Sequence, residues 1–180
     1  MIEELIQRAW TNALRVSENL ANKDRSSVWV ECIAKEFRRY YASEGRYIVF
    51  SRGYVGNRRD FRLNEMLFDV NVIEYEEVSS VSGKAKLKFP KRSIWHVESE
   101  FKDTDSRDAI IDFSKLLMGR AANNLIILPS GGKIESWAMR EFPNLCSRDS
   151  NTWACFTAHP SGWCQGVCSP KVVRLWPPGQ

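Results

Sequence analysis

Between Ile94 and Lys102 the chain alternates. Trp95, Val97 and Phe101 fall on one side of an extended backbone, and His96, Glu98, Glu100 and Lys102 fall on the other. A period of two marks a β-strand, so one side has to be covered by a core while the other gathers ionisable groups. No strand can bury such a face alone; it needs sheet neighbours and a covering layer. Met66 to Glu77 offers a neighbour of the same design, with Met66, Phe68, Val70 and Val72 on one face and Asp69 and Asn71 on the other.

The flanking segments supply helices. Ile2, Leu5, Ile6, Ala9, Trp10, Ala13 and Leu14 recur at three- and four-residue spacing and predict an amphipathic helix running to about Leu20. Ser26 or Ser27 caps a second helix carrying Val30, Ile33, Phe37, Tyr40 and Tyr41 and stopping at Gly45. Tyr47 to Phe50 reads as a short strand, and Ser51 to Arg62 as a loop. Asp105, with Asp108 three residues on, opens a helix with Ile110, Ile111, Leu117 and Met118 at its apolar positions, and Leu125 to Leu128 follows as a buried strand. Beyond Pro129 the pattern weakens. A short helix around Ile134 to Phe142 precedes a turn-rich tail with an edge strand at Lys171 to Trp176, and this C-terminal stretch as a whole holds four of the seven tryptophans and four of the five cysteines.

The expectation is one α/β domain. Residues 1–27 form an extra N-terminal helix and linker, 28–128 a core of order α-β-β-β-α-β, and 129–180 an irregular Cys/Trp-rich C-terminal extension. The first residues lack a secretory signal pattern, and no stretch approaches the roughly 18 apolar residues of a membrane helix. A cytoplasmic, reduced protein is expected, because the odd number of cysteines does not imply a disulfide framework. The net charge of +4 is mild, but Lys84, Lys86, Lys88, Lys91 and Arg92 follow one another without an intervening acid. A basic loop of this kind suits a nucleic-acid backbone, or else is a solvated hairpin tip.

Hydrolysing a phosphodiester requires neutralised phosphate charge and an activated water. Asp69 on one strand, with Glu100 and Lys102 two residues apart on the next, would give a metal two hard oxygen ligands and the water a lysine. The bland alternative is an exposed sheet face of cross-strand ion pairs. The same face carries His96, for which packing is the expected role, and Lys115 on the following helix offers a phosphate contact, although a solvated position is the expectation.

Asp69, followed about thirty residues later by Glu100-Phe101-Lys102, on strands in the order helix, strand, strand, strand, helix, strand, resembles the PD-(D/E)XK nuclease superfamily over roughly Val28 to Leu128. Phe68 stands where the motif has proline, and Glu98 adds a third acid in line with Glu100, so either glutamate is a candidate metal ligand, with the spacing to Lys102 favouring Glu100. The resemblance implies a restriction-endonuclease-like core with a central mixed sheet flanked by helices. It implies cleavage of DNA with Mg²⁺, for which Mn²⁺ substitutes, and a further ligand from the first core helix, Glu31 or Glu36, with Glu31 nearer the helix start. It also implies action as a dimer or with a partner subunit. A member of the same fold without catalysis, serving as a nucleic-acid-binding or assembly module, is the alternative.

In the tail, Cys146, Cys155, His159, Cys164 and Cys168 include enough soft ligands for a structural Zn²⁺. The gaps are irregular and no Cys-x-x-Cys knuckle occurs, which favours cysteines packed as small apolar groups. Trp137, Trp153, Trp163 and Trp176 offer stacking surfaces for bases, or anchors that wrap the tail onto the core.

Overall fold

The structure, a computed structural model, describes residues 1–102, 106–146, 150–163 and 169–176. Helices α1 (Ile2–Ser17) and α2 (Asn22–Tyr41) come first, then β1 (Tyr47–Ser51) and the short α3 (Arg58–Phe61). A long hairpin of β2 (Val70–Ser79) and β3 (Lys86–Ser99) follows, then α4 (Ser106–Met118), β4 (Asn123–Pro129), α5 (Lys133–Leu145), β5 (Asn151–Thr157) and β6 (Lys171–Trp176). The strands make one mixed sheet in sequence order. β1, β2 and β3 are mutually antiparallel, β3, β4 and β5 are parallel, and β6 is antiparallel to β5. Among the described residues, no helix is long and apolar enough to cross a membrane.

Two apolar layers hold the sheet. On one side α1 and α2 bring Leu5, Ile6, Trp10, Trp29, Ile33 and Phe37 onto Val70, Val72, Trp95, Val97 and Ile127. On the other side Phe113 and Leu116 of α4 and Ala138 and Phe142 of α5 cover Ile126, Leu128, Ala154 and Phe156. Each large side chain so buried contributes about 2–3 kcal/mol of transfer free energy, which secures the layers to the sheet.

Several boundaries differ from the sequence reading. The polar stretch ahead of Ser26 is the exposed first turn of α2, which starts at Asn22 after Ala21, and Ser26 bonds back to the Lys23 carbonyl instead of capping. β2 begins at Val70, because Leu67 takes a left-handed conformation with φ 64° and a bridge ties Met66 to Phe68. The kink breaks the alternation and sends Phe68 to the α4 side of the sheet, away from Val70 and Val72. β3 ends at Ser99, so Glu100 and Lys102 lie beyond it. Asp105, the expected helix start, falls outside the described residues.

The tail is not irregular. It adds α5, β5 and β6, and β5 pairs in parallel with β4 over seven residues. Trp163 packs edge-on against Trp10, and Trp29 lies 6.4 Å from it. This tryptophan anchors the tail to the α1–α2 layer instead of offering a face to bases. Cys155 is buried under that same layer, whereas Cys146 packs among the α5 residues on the opposite side of the sheet. The sheet separates these two thiols, which cannot share a zinc ion; Cys164 and Cys168 lie outside the described residues.

Candidate active site

The sheet changes from antiparallel to parallel at β3. In open α/β sheets the crevice at the carboxyl ends of the parallel strands, beside such a change, is where ligands are taken. The last residue of β1, the residue before β2 and the last residues of β3 meet at that end.

Asp69 directly precedes β2. Its Oδ2 accepts the Ser99 backbone N–H and the Ser99 hydroxyl, each at 2.9 Å. Burial pushes its carboxyl above the ordinary value, and the two Ser99 bonds oppose that push. Val70 pairs with Val97, so the register carried one residue further sets Asp69 opposite Glu98, where facing Cβ atoms stand about 5 Å apart. Glu98 is 4% exposed. Its Oε1 lies 2.6 Å from Lys115 Nζ on α4, and Asp112 Oδ1 lies 3.4 Å from the same ammonium. Burial raises the Glu98 carboxyl to about 8 against the pull of Lys115, with the charge of Asp69 adding to the rise. For Lys115 burial favours the neutral amine, but the Glu98 carboxylate outweighs it and holds the ammonium above its usual range.

Across the sheet edge, Glu31 of α2 is fixed from two sides. Arg38 Nη1 donates to its Oε1 at 2.8 Å and the Ser51 hydroxyl donates to its Oε2 at 2.9 Å, while Arg38 Nη2 donates to Ser51 Oγ at 2.6 Å. Tyr54 lies under the Arg38 guanidinium at 3.7 Å. Gly53 passes so close that a Cβ there would stand 3.1 Å from the Glu31 carboxylate, which would have to give by a few tenths of an ångström. Glu31, Asp69, Ser99 and Arg52 line one cavity of about 390 Å³. Glu36 lies elsewhere, buried between α1 and α2 and bonded to Arg8 and Asn12.

The remaining expected residues lie apart from this cavity. Glu100 accepts the Lys102 backbone N–H at 2.7 Å, and Lys102 Nζ pairs with Asp108 in the first turn of α4. Both line a second cavity of about 590 Å³ with Phe101 and His159, which adjoins the first at Ser26 and Ser99. His96 stacks on Phe68 at 3.7 Å, and burial lowers its imidazole to about 4, so it sits in the core as a neutral ring. Gly119 makes room for both rings, since a Cβ there would come within 2.6 Å of each.

The basic stretch is at the wrong end for a role beside these carboxylates. β2 runs ten residues, Val70–Ser79, so at about 3.3 Å per residue the hairpin tip at its far end lies about 33 Å from Asp69. There the cations meet acids of the same ladder and of α3. Lys88 pairs with Asp60 at 2.6 Å, Lys91 with Glu76, and Arg92 with Glu74 at 2.5 Å. Lys86 donates to Ser79 Oγ at 3.2 Å, and Lys84 is exposed in the turn.

Asp112 is a residue to which the sequence did not point, and Lys115, for which a phosphate contact or a solvated position was expected, is paired with Glu98 and Asp112. Each precedes a buried apolar residue of α4, Phe113 and Leu116, so the stripe that docks the helix also brings these two side chains to the sheet. Among the described residues, no three His, Cys, Asp or Glu side chains form a group that could hold a metal ion. No family model, no curated protein and no solved structure matches this chain.

Proposed function

We propose that this protein is a metal-dependent nuclease of the PD-(D/E)XK type, hydrolysing phosphodiester bonds in DNA at the Asp69–Glu98 end of the sheet. The observation that carries the reading is the charge imbalance there. Lys115 is the one ammonium paired with Glu98 and Asp112 among the described residues, the charge of Asp69 acts on the Glu98 carboxyl, and Asp69 lines a cavity with Glu31. Carboxylates with low exposure and too few countercharges favour a cation. Mg²⁺ suits this donor set, since it needs one or two carboxylates and fills its other positions with water and phosphate oxygens. A metal bound there would neutralise phosphate charge and acidify water.

The chain's own residues do the rest. Ser99 fixes one oxygen of Asp69 and leaves the other for a ligand. Glu98 comes from the facing strand, and Arg38 and Ser51 hold Glu31 towards the same cavity. Of the two glutamates the sequence left open as ligand, Glu98 is the proposed one, because β3 ends at Ser99 and Glu100 lines the adjoining cavity.

The test is conversion of supercoiled plasmid by purified protein with Mg²⁺, Mn²⁺ or EDTA, with Asp69→Asn alongside. Cleavage that needs the metal and vanishes in the variant is expected. A wild-type protein that binds DNA without cutting it in any of the three conditions would show the non-catalytic binding module instead.

A further inference from the structure

We infer that Lys115, reaching the site from α4, is the lysine that meets the phosphate and its attacking water, in place of Lys102. The inference rests on the nuclease reading and names the cation of that same site. Two lysines compete for the part. Lys102 follows β3, and its side chain is 67% exposed and engaged with Asp108. Lys115 stands 2.6 Å from the buried Glu98 and 3.4 Å from Asp112, and it is the only cation paired with either of them among the described residues.

The position of Lys115 is fixed by the fold. Ala109, Phe113 and Leu116 are fully buried against the sheet, so the helical turn that carries Lys115 cannot rotate away from β3. The face of Phe68, 6.0 Å from Nζ, lines its approach. Its partner Glu98 is buried while Lys115 itself is part exposed, so the ammonium is anchored on one side and open to solvent on the other. Hydrolysis forms one P–O bond from water and breaks another, and negative charge builds on the phosphate oxygens between the two events. An ammonium already held between Glu98 and Asp112 meets that charge without reorganising.

A purely supporting role would give a different pattern. If Lys115 only kept Glu98 ionised, its loss would weaken metal binding together with cleavage. If it acts on the phosphate, its loss removes a charge that repels the metal, so metal binding persists or tightens while cleavage falls.

The experiment compares wild type, Lys115→Met and Lys102→Met by plasmid cleavage, by calorimetric titration with Mn²⁺ and by thermal unfolding. Lys115→Met is expected to lose on the order of 100-fold or more in cleavage rate, to bind Mn²⁺ at least as tightly as wild type and to unfold cooperatively. Lys102→Met is expected to lose less than about tenfold. The assignment is overturned if Lys115→Met cleaves within about threefold of wild type, or if it loses Mn²⁺ binding in step with cleavage. Should Lys115→Met fail to fold, Lys115→Gln, which keeps the length of the stem and a hydrogen-bond donor, is judged by the same criteria. A wild-type protein that neither binds Mn²⁺ nor cleaves would overturn the nuclease reading itself, and the role of Lys115 with it.

Discussion

The β2–β3 ladder treats charge in opposite ways at its two ends. Towards the hairpin tip each acid faces a cation: Glu74 has Arg92, Glu76 has Lys91, and Asp60 of α3 has Lys88. At the other end Glu98 and Asp112 share one ammonium, Asp69 accepts from Ser99, and Glu98 is almost wholly buried. The far end is what a stable solvated surface needs, because matched ions cost little and contribute little. The near end costs folding free energy, since burial of an underpaired carboxylate is unfavourable. A cluster that the fold holds against this cost, at an open sheet end, is where chemistry is to be sought.

The largest effect should come from Asp69. Asp69→Asn keeps the shape and the oxygen that accepts from Ser99 but removes the charge. Cleavage should fall by about a thousandfold, with the melting temperature at or above that of wild type in metal-free buffer. Equal rates for variant and wild type in the plasmid assay would dissolve the contrast between the two ends.

Glu98 comes next, and its effect depends on pH. Its folded carboxyl titrates at about 8, above its ordinary 4.5, so the neutral acid is the form that the fold favours. The contribution to stability is complete below pH 4.5 and is lost as pH rises through 8. His96 runs the other way. Its imidazole is lowered from 6.5 to about 4, so its contribution is complete above 6.5 and is lost as pH falls through 4. Glu98→Gln mimics the neutral acid and should therefore match wild type near pH 4 and exceed it near pH 9. A gain of about 2 kcal/mol, on the order of 4–8 °C, is expected for a chain of this length. Unfolding curves in EDTA at the two pH values decide the matter; a variant less stable than wild type at pH 9 would mean that the Lys115–Glu98 ion pair outweighs burial.

The sequence carried much of this architecture. Alternation in Ile94 to Lys102 correctly separated Trp95 and Val97 from His96 and Glu98, because a period of two survives any choice of neighbour. It failed at Phe68, where the positive φ of Leu67 resets the phase; leucine gives no local sign of such a conformation, as glycine or asparagine would. It failed again beyond Ser99, since alternation continues on paper after the strand has ended. The α4 side chains at the site were the hardest to see. Asp112 and Lys115 look like an ordinary surface pair three residues apart on a helix, and only the docking of Phe113 and Leu116 brings Lys115 to Glu98. The tail was misread for a related reason. β5 is covered on both faces and shows no clean alternation, so Asn151 to Thr157 carries no pattern that a sequence reader can separate from a loop.

The smallest effects belong to the hairpin, and they sharpen the comparison from its other side. Lys91→Ala removes an exposed partner of the exposed Glu76 and should leave urea unfolding nearly unchanged, whereas Arg92→Ala leaves the buried Glu74 with Arg46 at 3.6 Å and should cost more. Because these cations stand far from Asp69 and are already neutralised, cleavage should stay within about threefold of wild type, and the salt dependence of DNA binding should not change. If instead the slope of log affinity against log salt fell by about 0.9 for each cation removed, the hairpin would be gripping phosphate. Its ion pairs would then open on binding, and the substrate would have to span the length of the ladder from the tip to Asp69.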